Sequence, residues 1–264
     1  MRDDLRIDPA AETDRIIDFI RTELDGAGRG DLVLGLSGGL DSSVGAFLCA
    51  RAIEPRRVHG FILPHRTSSA ESAEHARLVA RQTGIRCDEI DITLAVDTLK
   101  RALDTEGRRR LGNIMARVRM IMLYDQSAAV DGLVVGTGNR TEWLLGYYTL
   151  FGDAACALRP IGHLYKCQVR ELARHLGVPE PIISKPPSAG LWPGQTDEDE
   201  LGLSYDDADR ALAGLVDAGQ SEGELVSDGV PRAVVERVRQ LVRGSAFKRR
   251  MPRAPEPVAE RSED

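Results

Sequence analysis

Residues 35–43 are Gly35, Leu36, Ser37, Gly38, Gly39, Leu40, Asp41, Ser42 and Ser43, and they follow the apolar run Leu32-Val33-Leu34. A buried strand that ends in such a glycine-rich turn and opens a helix gathers backbone N–H groups around one point at a helix N-terminus. That arrangement suits a phosphate or a pyrophosphate. No Lys-Ser or Lys-Thr pair follows the glycines, so this is not a Walker A loop gripping a γ-phosphate. The bland reading is a strand–helix turn capped by Asp41. The spacing after an apolar strand favours the phosphate loop.

A second stretch, Gly136 through Asp153, follows another apolar strand and therefore reaches the same sheet edge with Thr137 and Glu142. The S-G-G-x-D-S form resembles the pyrophosphate loop of ATP pyrophosphatases, which activate a carbonyl oxygen with AMP and release pyrophosphate. That leaving group needs Mg²⁺, which prefers one or two carboxylates plus phosphate oxygens. Asp41 and Glu142 are the natural pair; the plainer but weaker reading of Glu142 alone is a solvated loop carboxylate. Lys166 starts a later helix, where its charge would offset that building on the phosphates; a lone Lys in a first turn is otherwise surface.

The elements that position these groups are legible by period. Ile16, Ile17, Ile20 and Leu24 give an amphipathic helix. Strand signals recur at 32–36, 58–63, 86–92 and 132–136, with helical patterns at 43–53, 69–83, 94–104 and 112–129 between them. Alternation of this kind predicts β-α-β units and a parallel sheet covered on both faces, with ligands beyond the carboxyl ends of its strands. Helices are expected at 165–176, 204–218 and 231–243. Between the first two, residues 185–202 carry Pro, Gly and Trp192 and read as a lid; residues 252–264 read as a disordered tail.

Composition excludes several classes. The chain has 264 residues, so residues 1–251 are expected to form one domain. It lacks the ~18-residue apolar run a membrane span needs, and its N-terminus lacks an apolar signal region, which predicts a cytoplasmic protein. A net charge of −6 gives no general field for nucleic acid. Cys49, Cys87, Cys156 and Cys167 form no C-x-x-C pair, which argues against zinc, disulfides and tRNA thiolation. His59, His65, His75, His163 and His175 lack metal-site spacing, although His65 follows the second strand near where an adenosine should lie. Arg119 reads by default as a salt-bridge residue. The Ile114, Val118, Ile121, Met122 face reads as core or dimer seam, with Arg117 on another side.

Four stretches carry a closer resemblance: the SGGLDSS loop, GTGNRTEWLLGYYTLFGD, the run from Pro160 through Lys166 to Ala173, and KPPSAGLWPGQTDEDELGLSY from Lys185. With the Gly112-to-Met120 helix start and Lys248-Arg249-Arg250, they are similar in register to the ammonia-dependent NAD synthetase family over residues 10–252. That family adenylates the nicotinate carboxylate of deamido-NAD and lets ammonia displace AMP. The resemblance implies an α/β fold, a doubly wound five-stranded parallel sheet of the adenine-nucleotide α-hydrolase (Rossmann-like) type with C-terminal helices. It also implies a homodimer with sites across the interface. By motif, Gly35, Leu36, Ser37, Gly38, Gly39, Leu40, Asp41, Ser42, Thr137, Lys166 and Ser188 would contact ATP. Asp41 and Glu142 would hold Mg²⁺, and Arg117, Asp153 and Lys248 would meet the acceptor. Asp153 and Lys166 would lie where ammonia meets the acyl-adenylate. These 264 residues leave no room for the amidase domain of glutamine-dependent relatives, so ammonia is expected from solution or from a separate amidase.

Three positions depart from the family pattern. Leu150 stands where a Lys is usual, Ala157 where an Asp is usual and Phe247 where a His is usual. By resemblance all three face the acceptor, so the ATP half is intact while the acceptor half has become more apolar. The leading expectation is an ATP- and magnesium-dependent amide synthetase acting on deamido-NAD. The same chemistry on another carboxylate is the close rival, and a non-catalytic nucleotide-binding protein the remote one.

Overall fold

The computed structural model describes residues 5–192, 194–252 and 254–255. Four short parallel strands form the sheet: β1 (Asp31–Gly35), β2 (Val58–Ile62), β3 (Arg86–Glu89) and β4 (Gly132–Val135), in the order β3-β2-β1-β4. The apolar runs of β1 and β2 are buried, as central parallel strands must be. The predicted third strand stops at Glu89 instead of 92, because Ile90 and Ile92 leave the ladder and donate their N–H groups to Ile62 O and Pro64 O. The five-stranded expectation is corrected to four strands with a single parallel bridge, Val135 to Leu158, at the fifth position. Ala157 N donates to Val134 O and Gly136 N to Leu158 O, but Pro160 has no N–H with which to extend the ladder.

Helices cover both faces. On one lie α1 (Pro9–Ala27), α2 (Leu40–Ala52) and α3 (Ala70–Thr83), which close over β1 and β2 with Ile16, Ile20, Leu34, Val44 and Leu48. On the other lie α4 (Thr93–Ala102) and α5 (Arg108–Ala129), whose Val96, Met115 and Val118 pack on Val33 and Phe61. After β4 come α6 (Arg140–Leu145), α7 (Lys166–Leu176), α8 (Glu180–Ile183), α9 (Asp197–Leu201), α10 (Tyr205–Leu212), α11 (Glu222–Ser227) and α12 (Arg232–Gly244). α7 returns to α1 and α2, while α6, α10 and α12 share an apolar cluster around Tyr205. The helix expected over 204–218 is two pieces, since Ala213–Asp217 widens into a π turn that brings Asp217 to the Tyr165 hydroxyl at 2.7 Å. The span read as a lid over 185–202 contains α9, whose start is capped by the Thr196 hydroxyl. Most of the predicted tail lies outside the described residues.

β1 runs between β2, which follows it after one helix, and β4, which arrives from the other side. Chain direction across the sheet therefore reverses between β1 and β4. Their carboxyl ends open into a crevice, where ligands bind in sheets of this kind.

Candidate active site

The turn after β1 is built for close approach. Gly38 has φ +73°, and a β-carbon there would stand 2.0 Å from Ser72 O, so no other residue fits without moving α3. Ser37 Oγ accepts from Gly39 N at 3.2 Å and lies 3.0 Å from Ser42 Oγ, which donates to Gly39 O at 3.1 Å. These bonds fold the loop upon itself. Gly39 caps α2 with no side chain, so the helix's first amides keep their capacity for an anion. Leu36 has a different use: its side chain is in the core and its N–H donates to Phe61 O. Leu40 packs at the edge of the same core. Thr137 sits beside the second turn of α2, where a β-carbon on Gly45 would come within 3.3 Å of its methyl.

Asn139 ties this loop to the next. It is fully buried, its Nδ2 donates to Asp41 Oδ1 at 2.8 Å, and its Oδ1 accepts from Glu142 N at 2.9 Å. The Glu142 carboxylate returns to Asn139 N, completing a capping box that fixes both ends of α6's first turn. Asn139 was missed as a site residue; its trace in the sequence is the Asn-x-x-Glu spacing. The same first turn carries Thr141, whose hydroxyl donates to Asp209 Oδ1 at 2.5 Å and accepts from Lys166 N at 2.9 Å. Asp209 Oδ2 takes Cys167 N at 2.8 Å. One carboxylate on α10 therefore holds the starts of α6 and α7 together.

The outcome is that Lys166, 3 % exposed, places its ammonium between Asp41 and Glu142, bonded to Asp41 Oδ2 and 3.2 Å from Glu142 Oε1. Sequence separations of 125 and 24 residues close into one ionic triad. Burial pushes the Glu142 carboxyl up to about 7, against the pull of Lys166 and with the push of Asp41. Lys166 is raised as well: burial opposes its charge, but Asp41 and Glu142 outweigh that. Asp197 is buried nearby and is also raised, first by burial. Asp41 and Glu142 thus share one ammonium, with the charge of Asp197 nearby, and the excess negative charge suits a divalent cation. Among the described residues no group of three or more His, Cys, Asp or Glu could hold a metal by itself. Two carboxylates completed by phosphate oxygens are the donor set Mg²⁺ takes.

The neighbouring loop, 146–153, is clasped from two sides. Arg117 Nη2 donates to Leu150 O at 3.2 Å, and Thr149 Oγ1 bonds Asn113 at 2.9 Å. Lys248 Nζ donates to Gly146 O and Tyr148 O, both at 2.7 Å, and lies 4.9 Å over the Tyr148 ring. Tyr148 stacks on Trp143 at 5.1 Å, and Arg159 caps the Trp143 ring at 3.7 Å, so a cation–ring–ring–cation column stiffens the loop. Asp153 accepts from Thr149 N at 2.8 Å. Phe151 is 60 % exposed at φ +56°, a conformation costly for an aromatic residue and held by the surrounding bonds. Leu150 is half-buried, Ala157 exposed and Phe247 exposed. Ser188 is exposed in the 185–192 segment, where its hydroxyl accepts from Gly190 N.

Two expectations are corrected here. Arg119 has no ion pair among the described residues; its Nε donates to Leu63 O at 3.0 Å, at the carboxyl end of β2. Arg117 shares a stripe with the exposed Ile121 and Tyr124, at steps of four and three residues, while Met115 and Val118 turn to the core. His65 is buried with Nδ1 2.9 Å from Thr67 Oγ1, and its Nε2 has no hydrogen-bond partner.

With this geometry in place, the likeness to known proteins has a physical basis. The NAD synthase family model matches residues 12–252. The chain belongs to the NAD synthase family. An NH₃-dependent NAD⁺ synthetase of Chlorobium phaeobacteroides is 46 % identical over 249 residues, 94 % of this chain and 90 % of the relative. Among solved structures, an NMN synthetase from Francisella tularensis superposes with a TM-score of 0.85 at 32 % identity, covering 95 % of this chain and 99 % of that one. An NH₃-dependent NAD synthetase from Campylobacter jejuni gives 0.82 at 31 %, covering 95 % and 100 %. NAD synthases use ATP as co-substrate, and the phosphate loop and ionic triad of this family member lie together at the switch point of the sheet.

Proposed function

We propose that the chain is an ATP-dependent ligase that joins ammonia to the nicotinate carboxylate of deamido-NAD, giving NAD, AMP and pyrophosphate. The observation that carries this reading is the buried triad of Lys166, Asp41 and Glu142 at the uncapped start of α2, in a chain matching the family model from 12 to 252.

The roles assigned are those the family resemblance implies. Backbone amides from Ser37 to Ser42 hold the β- and γ-phosphates, with Thr137 and Ser188 as further ATP contacts. Asp41 and Glu142 would hold Mg²⁺, which when bound would supply positive charge against the leaving pyrophosphate. Lys166 shifts from the two carboxylates to the phosphates and stabilises charge there. Arg117, Asp153 and Lys248 meet the acceptor. The acceptor carboxylate attacks the α-phosphorus, and ammonia then displaces AMP from the acyl-adenylate. A cytoplasmic location fits this reading; no helix among the described residues is long and apolar enough to cross a membrane. Ammonia comes from solution or a separate amidase.

The test follows AMP and NAD together with ATP, Mg²⁺, ammonium and deamido-NAD. Equimolar AMP and NAD are expected. Asp41→Ala or Glu142→Ala should lower AMP formation by about 10³-fold or more, since the pyrophosphate charge goes unneutralised. Near-normal turnover in either variant at ordinary magnesium overturns the metal assignment. A second reading keeps the chemistry and changes the acceptor: the altered Leu150, Ala157 and Phe247, with the likeness to an NMN synthetase, favour a mononucleotide carboxylate. Faster AMP release with nicotinate mononucleotide than with deamido-NAD would decide for it.

A further inference from the structure

Asp197 opens α9 and is 5 % exposed, yet its carboxylate reaches three other parts of the chain. Oδ1 accepts from Ala189 N at 2.9 Å and from the Tyr147 hydroxyl at 3.0 Å. Oδ2 accepts from the Tyr205 hydroxyl at 3.2 Å, and Asp197 N donates to Pro187 O at 3.0 Å. Tyr147 stands at the start of the 146–153 loop, Tyr205 on α10, and Ala189 next to Ser188. Tyr147 also bonds Glu200, on the same short helix as Asp197. The 185–192 segment has no regular secondary structure, so its amides depend on side chains. Its root is pinned by Lys185 to Ser72 Oγ at 3.1 Å and to Glu71 at 3.0 Å, beside Gly38 of the phosphate loop. Its far end rests on α5, where a β-carbon on Gly112 would stand 2.7 Å from Leu191 Cδ1, and Leu191 O accepts from Thr67. Between root and end, the Asp197 carboxylate holds the segment at Ala189, and its charge acts on Lys166.

A buried carboxylate is costly, and hydrophobic residues would pack the same space at lower cost. We propose that Asp197 is a positioning residue, a latch that holds the 187–191 backbone over the site so that ammonia rather than water meets the acyl-adenylate. This inference rests on the amide-forming reading above. When ammonia attacks, a C–N bond forms, the acyl C–O bond to phosphate breaks, AMP leaves with the electron pair, and the nitrogen sheds a proton. When water attacks, AMP leaves in the same way but the starting carboxylate is regenerated. A loose latch therefore shows as AMP in excess of amide, a quantity that a smaller folded fraction cannot change.

The experiment compares Asp197→Ala, Asp197→Asn and Tyr147→Phe in the full chain by the AMP-to-amide ratio and by amide exchange at residues 188–191. Asp197→Ala should raise the ratio about threefold or more and speed exchange at Ala189 about tenfold, because the amide loses its acceptor. Asp197→Asn keeps an oxygen for Ala189 N and should stay within about twofold of wild type on both readouts. Tyr147→Phe should lie between them. A ratio of one with unchanged exchange in Asp197→Ala overturns the proposal, and so does an Asn variant as leaky as the Ala variant. If Asp197→Ala does not fold, an unchanged ratio in Tyr147→Phe overturns it instead. Failure of the acceptor reading looks different: wild type makes no NAD, while exchange at Ala189 still reports the latch.

Discussion

Asp41, Glu142 and Lys166 illustrate how single residues acquire function from partners. Each carboxylate has one oxygen facing Asn139 and the other facing the Lys166 ammonium, so neither is held in water nor left unpaired. The acceptor side is built differently. Leu150 offers its carbonyl to Arg117, Ala157 offers only backbone, and Phe247 projects into solvent at 64 % exposure beside Lys248. None of the three presents a charged or hydrogen-bonding side chain, whereas the resemblance leads one to expect one at each. If deamido-NAD is the acceptor, each missing contact costs about 1–2 kcal/mol where the site is partly dry. Leu150→Lys, Ala157→Asp and Phe247→His together should then raise kcat/KM for deamido-NAD about tenfold or more while leaving the KM for ATP unchanged. Steady-state kinetics in both substrates checks this. An unimproved triple variant of an already efficient wild type would show that these positions do not govern the acceptor.

The elements that carry these residues are held by polar contacts that cross long stretches of chain. Asp209 is fully buried on α10, and burial pushes its carboxyl up, so its presence is tolerated only because Thr141 and the Cys167 amide bond to it. Asp209→Ala would leave that hydroxyl and amide unsatisfied and should cost about 3 kcal/mol, a fall of roughly 6–12 °C in Tm. Asp209→Asn, which keeps one acceptor, should cost about half as much. Thermal unfolding with circular dichroism measures both, and an Ala variant as stable as wild type would remove Asp209 from this role. The difference between what periodicity reveals and what it hides lies here. The apolar runs of β1 and β4, the helical spacing in α1 and α5 and the glycine-rich turn are local patterns, each expressed in residues that neighbour one another. The Asp209–Thr141 contact spans 68 residues and Asn139–Asp41 spans 98, and polar pairing at such distances leaves no repeat in the chain. The fifth strand failed for a related reason: its length depended on Pro160 and on β4's edge, not on its own composition. Asp197 stood in a segment read as lid, and only the fold shows it bonded to Tyr147 and Tyr205.

At the scale of the whole molecule, α5 joins the core to the outer surface and offers a route to assembly. Met115 and Val118 secure its inner face, while Arg117, Ile121 and Tyr124 form an outward stripe, with Ile121 55 % and Tyr124 40 % exposed. Arg117 is bonded to Leu150 O, and the next residue, Phe151, is a further exposed apolar side chain. An exposed apolar stripe of this kind on a helix suits a two-fold interface, in which the same stripe meets its copy. Because the stripe contains Arg117 and borders Leu150, pairing would complete the acceptor site rather than merely enlarge the molecule. Light scattering at micromolar concentration should therefore give a dimer mass. Ile121→Glu with Tyr124→Glu should yield monomers through like-charge repulsion and loss of apolar contact. In those monomers the KM for the acceptor should rise about tenfold or more, because Arg117 and the 146–153 loop lose their support. The KM for ATP should move little, since the phosphate loop and the Lys166 triad sit at the sheet edge and draw their contacts from within one chain. A wild type that is monomeric at micromolar concentration and fully active would refute this arrangement, and so would a monomeric double variant whose acceptor KM is unchanged.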